Sequence, residues 1–258
     1  APELVVCVVA ALGGNPDLAI GNVMGSNLAN IGLILGLTAI VRPLKVNPRV
    51  VRREMPILLL VTAALLPLLW DLEITRGDGA LLLIALTAYL TSALWSVEDE
   101  DLVKTPTEDR SLVHPPDILW ILAGTACLVL GGYCIVEGAV QVASSFGVSQ
   151  VTIGLTVVAV GTSLPELATA LVAAARSETD IAVGNVIGSN IFNVTAILGT
   201  TALLEPIRVP ASILSAELPA VIAMSLLLFP LLRSGWHISR LEGLFLLAAY
   251  AAAVAYLL

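Results

Sequence analysis

The sequence contains little charge. Only 12% of its 258 residues are Asp, Glu, Lys or Arg, whereas 58% are hydrophobic. A water-soluble domain carries about 25% charged residues, so this chain cannot cover its surface with polar groups. Its mean hydropathy of +0.97 reflects the same deficit. The composition excludes an ordinary soluble globular domain and predicts a protein whose solvent is lipid.

Histidine and cysteine are also scarce. His114 and His237 lie in predicted loops, and Cys7, Cys127 and Cys134 lie in apolar segments. We expect each cysteine to act as a small buried hydrophobic side chain, and this odd, scattered set indicates no redox or metal role. No sequence feature indicates nucleic acid, a nucleotide or an organic cofactor, so we expect no cofactor.

Long uncharged runs take the place of charge. A helix needs roughly 20 apolar residues to cross the hydrocarbon layer of a membrane. The runs of 19 residues or more are 18–41, 79–97, 118–136, 138–165 and 181–204. Shorter apolar runs are 55–70, 218–232 and 243–258, and residues 1–12 resemble the end of a helix that begins earlier. We therefore predict nine membrane segments, the first of them incomplete.

Positive charges are unevenly distributed between the predicted loops. If the segments alternate in direction, ten Lys and Arg residues fall on one side, here called the arginine-rich side, and only Arg76 and Arg208 fall on the other. The positive-inside rule predicts that the first side is cytoplasmic. Its loops are 42–54, 98–116, 176–180 and 233–240. We expect the acidic loop 98–116 to be a linker between two halves, 1–97 and 117–258.

The two halves share a repeated phrase. GNVMGSNLAN begins at Gly21, and GNVIGSNIFN begins at Gly184, an offset of 163 residues. At the same offset Pro2-Glu3-Leu4 falls on Pro165-Glu166-Leu167. The chain therefore contains a duplication. Five predicted crossings separate the two glutamates, so the copies enter the membrane in opposite directions, as in many secondary transporters.

The second copy places a carboxylate in an apolar span that holds no Lys or Arg. An acidic residue in the membrane interior is costly and usually functional. Pro165 has no N–H, so it should kink the helix and leave a carbonyl group without its partner. Thr162 and Ser163 lie one turn before Glu166. Glu3 begins the same cluster in the first copy.

Amide and hydroxyl side chains recur every four residues in each repeated phrase, and so line one helical face. They are Asn22, Ser26 and Asn30 in the first copy, and Asn185, Ser189 and Asn193 in the second. Helix packing is the competing interpretation, because small-xxx-small patterns and cross-helix hydrogen bonds also use such residues. We prefer packing for Gly21 and Gly25. The repeated association with a carboxylate favours an ion site for the Ser and Asn residues.

The combined donor set consists only of oxygen atoms, which suits hard cations such as Na⁺, Ca²⁺ and Mg²⁺. Two carboxylates neutralise one divalent ion. Without an ion they would repel each other in a medium of low dielectric constant, so they must then hold Na⁺ or a proton, or one must become neutral. This predicts exchange, in which loaded forms cross the membrane and the empty form does not.

The motifs GTSLPEL (161–167) with GNVIGSNIFN, and PEL (2–4) with GNVMGSNLAN, resemble the α-repeats of the cation/calcium exchanger superfamily, nearest the prokaryotic sodium/calcium exchanger type. The resemblance covers nearly the whole chain. It implies an all-α polytopic membrane protein of ten helices in two inverted repeats of five, with helix 1 and the start of helix 2 preceding this sequence. It also implies a secondary antiporter rather than an enzyme, which exchanges Ca²⁺ for Na⁺ in a prokaryotic inner membrane.

The resemblance also implies a ligand set. In the family the repeat glutamates coordinate Ca²⁺, and Thr, Ser and Asn residues complete the Ca²⁺ and Na⁺ sites. Carried over, the ligands are Glu3, Ser26, Asn30, Thr162, Ser163, Glu166, Ser189 and Asn193. Potassium-dependent members often carry Asp where Asn193 stands, so we expect no K⁺ requirement. Because part of the first repeat is absent from this sequence, we expect residues 1–258 alone not to transport.

Three alternatives stay open. A proton-coupled cation exchanger is the nearest, because Glu3 and Glu166 can carry protons, although the hydroxyl-rich motifs favour Na⁺. An intramembrane hydrolase using Ser163 with Glu166 would need a general base and an oxyanion site, and the spans contain no His or Lys. A channel is disfavoured because inverted repeats favour alternating access.

Glu54 and Glu217, each two residues before a proline at a predicted helix start, are interpreted as structural acids.

Overall fold

The computed structural model describes residues 2–101 and 145–258, together with single and paired positions between 119 and 141. In the two long ranges the helices are α1 (Pro2–Leu12), α2 (Pro16–Val41), α3 (50–68), α4 (Arg76–Asp101), α5 (Gln150–Thr162), α6 (Leu164–Ala175), α7 (Thr179–Leu204), α8 (Ile213–Arg233) and α9 (Arg240–Leu257). The strands are β1 (Leu44–Lys45), β2 (Glu73–Ile74), β3 (Ile207–Arg208) and β4 (His237–Ile238). The predicted segment 118–136 is described only at scattered positions, and most of the linker 98–116 lies outside the described residues.

Most of the predicted segments are confirmed as helices. Five helices, α2, α4, α7, α8 and α9, are long and apolar enough to cross a membrane, and α5 with α6 forms a sixth, broken span. The bounds predicted for the run 138–165 are wrong. A turn at Phe146 and Gly147 interrupts it, and α5 begins at Gln150, where the Ser149 side chain accepts a hydrogen bond from the Thr152 N–H. The turn carries no charge, so the pattern of charges did not reveal it.

The outer helices present leucine to the surroundings. Leu60, Leu226 and Leu244 are each more than half exposed, a surface that is stable in lipid and unfavourable in water. The interior is built around α2 and α7, whose most apolar windows are 83% and 67% buried, against 11% for α4 and α9. The polar repeated phrases therefore lie at the centre of the molecule.

The short strands show that the repeats are inverted. β1 pairs antiparallel with β4, with Leu44 opposite Ile238, and β2 pairs antiparallel with β3, with Ile74 opposite Ile207. The offset of 163 residues carries β1 onto β3, and an offset of 164 carries β2 onto β4. The two ribbons are thus images of each other. Each joins loops assigned to the same side of the membrane, one ribbon per side.

Close helix contacts repeat in the same crossed manner. A Cβ atom at Gly36 would lie 2.9 Å from the carbonyl oxygen of Gly243, and one at Gly79 would lie 2.8 Å from that of Gly199. Gly36 and Gly199 are equivalent at an offset of 163, and Gly79 and Gly243 at 164. The end of α2 therefore packs on α9 as the end of α7 packs on α4.

The preferred packing role of Gly21 and Gly25 is confirmed. A Cβ atom at Gly21 would lie 2.7 Å from the carbonyl oxygen of Val151, and one at Gly25 would overlap that of Leu155. These glycines let α2 approach the backbone of α5. A Cβ atom at either of their equivalents, Gly184 and Gly188, would meet no neighbouring atom of the described residues within 4 Å.

Candidate functional site

The repeated proline–glutamate pairs lie on two helices. α6 starts at Leu164 with Glu166 in its first turn, and Glu3 lies at the N-terminal end of the described part of α1. Ser163 occupies the break between α5 and α6, whose axes are bent by 41°. Since Pro165 has no N–H to continue the ladder of α5, the predicted kink is confirmed. An acidic side chain in a first helical turn is also favoured by the helix dipole.

The two glutamates line the same cavity, of about 380 Å³. The walls come from α1, α4, α6 and α7, so both repeats contribute. The lining residues are Glu3, Tyr89, Leu90, Glu166, Asn185, Gly188, Ser189, Phe192, Asn193 and Ile197. Four residues of the predicted ligand set, namely Glu3, Glu166, Ser189 and Asn193, are among them.

Glu3 is buried and Glu166 is partly buried. Glu3 is 3% exposed, and its Oε1 accepts a hydrogen bond of 3.4 Å from Ser163 Oγ, which brings a fifth predicted residue to the site. Oε2 of Glu166 is buried and has no hydrogen-bond partner within the described chain. A buried carboxylate oxygen without a partner is costly. A bound cation would remove that cost.

The other three predicted residues do not line the cavity. Thr162 Oγ1 donates to Asn22 Oδ1 at 3.2 Å. Ser26 is fully buried, and its Oγ has no partner among the residues described. Asn30 is also buried, with Nδ2 hydrogen-bonded and Oδ1 lacking a partner in the same part of the chain. Unused oxygen atoms therefore accompany the glutamates in the packed interior.

An amide cluster, defined as Asn27, Asn30, Asn190 and Asn193, joins the two repeats. Asn30 Nδ2 donates to Asn190 Oδ1 at 2.8 Å, and Asn193 Nδ2 donates to Asn27 Oδ1 at 2.9 Å. Asn190 Nδ2 also donates to the backbone oxygen of Asn27 at 3.2 Å. The first two bonds are equivalent under the repeat. Each holds the NH₂ group of a predicted ligand, so that its carbonyl oxygen is left for other use.

Sequence reasoning missed Asn27 and Asn190. The signal was present, because both occupy the same position in the repeated phrase. They fall outside the four-residue spacing of Asn22, Ser26 and Asn30, however, and that spacing was the criterion for selecting candidates within the phrase. Asn30 and Asn193 also begin π-helical stretches, Asn30–Ile34 and Asn193–Leu198. Such stretches are frequent at functional sites.

A second polar network links α1, α2 and α5. Asn22 Nδ2 donates to Cys7 Sγ at 3.2 Å, and Cys7 Sγ donates to the carbonyl oxygen of Ala19 at 3.5 Å. Cys7 is buried as expected, but it acts as a hydrogen-bonding group. Cys127 and Cys134 are exposed, so the expectation of burial is wrong for these two. Asn22 joins this network to Thr162.

Glu54 was interpreted as an acid at a helix start, and it directly precedes the α-helical part of α3, Met55–Leu68, although a π-helical stretch comes before it. α3 begins at residue 50 with a π-helical stretch that ends at Glu54, so Glu54 lies inside the helix. Its Oε2 accepts a 2.7 Å hydrogen bond from the hydroxyl group of Tyr89, a cavity residue. Glu217 lies likewise at the end of Ile213–Glu217, 4% exposed, and accepts from Ser212 Oγ at 3.2 Å. Glu54 thus anchors one wall of the cavity.

The donor set contains two carboxylates and neutral oxygen atoms. In the described ranges no group of three or more His, Cys, Asp and Glu side chains is placed to hold a metal ion. Carboxylate, hydroxyl and amide oxygens are ligands that suit a hard cation.

Comparison with known proteins gives consistent matches. A family described as "Sodium/calcium exchanger protein" matches residues 1–95 and 117–258. The putative antiporter CaxA of Alkalimonas amylolytica is 39% identical over 97% of this chain and 81% of its own length. The sodium/calcium exchanger MaX1 of Methanosarcina acetivorans is 30% identical over 97% of this chain and 83% of its own. A structure of the sodium-calcium exchanger NCX_Mj, soaked with Na⁺ and Ca²⁺, has a TM-score of 0.78 and 32% identity over 98% of this chain and 81% of that one.

Proposed function

This chain belongs to the sodium/calcium exchanger family, and from that premise we propose that it exchanges Ca²⁺ for Na⁺ by alternating access at the cavity between Glu3 and Glu166. The observation that carries the proposal is the meeting of these two acids, one from each inverted repeat, at a single cavity. Secondary transporters with inverted repeats place their sites where the repeats meet. The protein is accordingly a transporter and not an enzyme.

Charge balance supports Ca²⁺ as one substrate. Two carboxylates neutralise a divalent cation, and Ca²⁺ accepts six to eight oxygen ligands in flexible geometry. Ser163, Ser189 and Asn193 supply neutral oxygen atoms beside the two acids. We propose that Ser26, Asn30 and Thr162 complete the ion sites when the helices rearrange. No resident cofactor is needed for this cycle.

Na⁺ is proposed as the counter-ion because hydroxyl and amide oxygens can hold it once Ca²⁺ has left. Proton coupling is the alternative, since protonation of Glu3 and Glu166 would also relieve their repulsion. Asn193 is neutral, and we propose that it makes K⁺ unnecessary. Sequence identity to the sodium/calcium exchanger MaX1 of Methanosarcina acetivorans supports Na⁺ coupling by relationship.

We further propose that the arginine-rich side is cytoplasmic and that the protein lies in a prokaryotic inner membrane. The asymmetry of ten positive residues against two supports this orientation. In this orientation the acidic linker 98–116, which joins the halves 1–97 and 117–258, lies in the cytoplasm.

Radiolabelled Ca²⁺ uptake into vesicles containing the complete protein tests the proposal. Uptake is measured with an outward Na⁺ gradient, with a pH gradient of matched direction, with neither, and with K⁺ added or omitted. We expect uptake driven by the Na⁺ gradient alone and indifferent to K⁺. Uptake that follows only the pH gradient would overturn the Na⁺ assignment and leave the proton-coupled exchanger in its place.

A further inference from the structure

A second, smaller cavity lies on the arginine-rich side, between the start of α3 and the end of α8. Its volume is about 240 Å³. We call it the arginine pocket, and its lining residues are Val51, Arg52, Pro56, Phe229, Arg233 and Trp236. It is separate from the ion cavity, with which it shares no lining residue. It combines two cationic side chains with an apolar wall.

The two guanidinium groups of the pocket have no acidic partner among the described residues. Neither Arg52 nor Arg233 has an ion pair with any part of the chain that the structure describes, and none of the six lining residues is acidic. The neighbouring Arg53 differs, because its Nη2 donates to Ser92 Oγ at 3.1 Å and its Nε lies 4.0 Å from Glu54 Oε1. Within the described residues, the pocket therefore carries two positive charges without a counter-charge.

The duplication supplies an internal comparison. At the offset of 163 residues, Ser215 takes the place of Arg52, and Trp70 takes the place of Arg233. Pro56 and Pro219 are equivalent, so the helices are built alike on both sides. The equivalent positions on the opposite side therefore carry no arginine. The charges are therefore not required for α3 to pack against α8.

The position of the pocket indicates which kind of group neutralises the charges of Arg52 and Arg233. Arg52 lies in the first turn of α3 and Arg233 is the last residue of α8, so both are at the level where a membrane helix leaves the hydrocarbon layer. Tryptophan is enriched at that level, and Trp236 is the pocket's aromatic wall. Guanidinium groups bind phosphate oxygens in a fork geometry. Basic pockets between membrane helices on this side bind anionic head groups.

We propose that the arginine pocket binds the head group of an anionic phospholipid, with Arg52 and Arg233 on its phosphate and Val51, Pro56 and Phe229 against the start of its acyl chains. The amphipathic lining fits this ligand better than a free anion, which has no apolar part. The lipid would also join α3 of the first repeat to α8 of the second.

Native mass spectrometry of the complete protein, titrated with phosphatidylglycerol, tests the proposal. Each arginine near an anionic head group contributes enough for a roughly fivefold change in affinity. We expect Arg52→Gln and Arg233→Gln each to weaken binding about fivefold, and the double variant about 25-fold. Phosphatidylcholine should bind less tightly than phosphatidylglycerol. Arg42→Gln, an exposed arginine on the same side but outside the pocket, is the matched control and should bind as the wild type does.

Four results would overturn the proposal. The first is equal phosphatidylglycerol affinity for the wild type and the double variant. The second is an equal loss in Arg42→Gln, which would mean a diffuse charge effect. The third is thermal stabilisation by inorganic phosphate as large as that by phosphatidylglycerol, which would make the ligand a free anion. The fourth result tests whether the acidic linker occupies the pocket, and it uses a variant in which the acids at 98–101 are neutralised. If that variant gains as much lipid affinity as the double arginine variant loses, the linker and not a lipid is the normal occupant of the pocket.

Discussion

The amide cluster predicts that Asn27, which does not line the ion cavity, affects Ca²⁺ binding because it orients the side chain of Asn193. Asn27→Ala removes the Oδ1 atom that accepts the 2.9 Å hydrogen bond from Asn193 Nδ2. The bond from Asn190 Nδ2 to the backbone oxygen of residue 27 is retained. Asn193 then loses the acceptor that determines which end of its amide faces the cavity. An NH₂ group that faces a cation repels it.

The magnitude follows from the burial of this bond. Leaving a buried donor without a partner costs about 1–3 kcal/mol, which corresponds to an affinity lower by roughly 5- to 150-fold if the whole cost falls on the ion-bound state. Asn190→Ala removes the acceptor of Asn30 Nδ2, at 2.8 Å, and is equivalent under the repeat. Asn190→Ala also removes the bond from Asn190 Nδ2 to the backbone oxygen of Asn27, so it should weaken Ca²⁺ binding at least as much.

The assay is the Ca²⁺ concentration dependence of uptake by the complete protein in vesicles, with thermal unfolding in detergent measured alongside. Thr201→Val is the matched control, because Thr201 is a fully buried polar residue of α7 whose Oγ1 has no hydrogen-bond partner among the described residues. It should leave Ca²⁺ affinity unchanged. If Asn27→Ala binds Ca²⁺ as the wild type does, or if Thr201→Val loses as much, the positioning role of the cluster is refuted.

Three further predictions concern single contacts. Glu166→Gln should abolish Na⁺-driven Ca²⁺ uptake without lowering the unfolding temperature, because it replaces a buried and unpartnered carboxylate oxygen by a neutral amide; wild-type flux would remove Glu166 from the site. Gly25→Ala should destabilise the fold by about 1–3 kcal/mol, because the added Cβ atom would overlap the carbonyl oxygen of Leu155. Gly77→Ala is the control in thermal unfolding, since a Cβ atom there would lie 3.5 Å from its nearest neighbour. Equal melting temperatures of the two variants would contradict the packing argument. Tyr89→Phe should lower the free energy of unfolding by about 1.5–3 kcal/mol, because it removes a hydrogen-bond donor to the Glu54 carboxylate. Tyr256→Phe, at an exposed position, is the control and should cause no measurable loss. A Tyr89 variant as stable as that control would show that the bond contributes little.

The sequence was sufficient to identify most of the described spans, the duplication and its inversion. Apolar length predicts a membrane helix because lipid offers no hydrogen bonds to the backbone. The kink at Pro165 follows from a missing N–H and needs no tertiary information. The turn at Phe146 and Gly147 was missed because it interrupts an uncharged run, and neither hydropathy nor charge changes there.

Contacts between helices were less accessible. An offset in the sequence establishes that Asn30 and Asn193 are equivalent, but not that either touches the other repeat. The π-helical stretches that begin at these residues shift the face presented by each helix, and no periodicity rule anticipates them. A search by four-residue spacing selected Asn193 as a candidate and did not select Asn27, which lies outside that spacing.

Inversion adds a rule that recovers part of this information. Under a twofold relation, a contact between residue i and the equivalent of j implies a contact between j and the equivalent of i. The bond between Asn30 and Asn190 accordingly has its image in the bond between Asn193 and Asn27. The contact of Gly36 with Gly243 has its image in that of Gly199 with Gly79. One cross-repeat contact, once known, thus yields a second from the sequence alone, and positions where the image fails, such as Arg52 and Ser215, mark where the two sides of the membrane have acquired different roles.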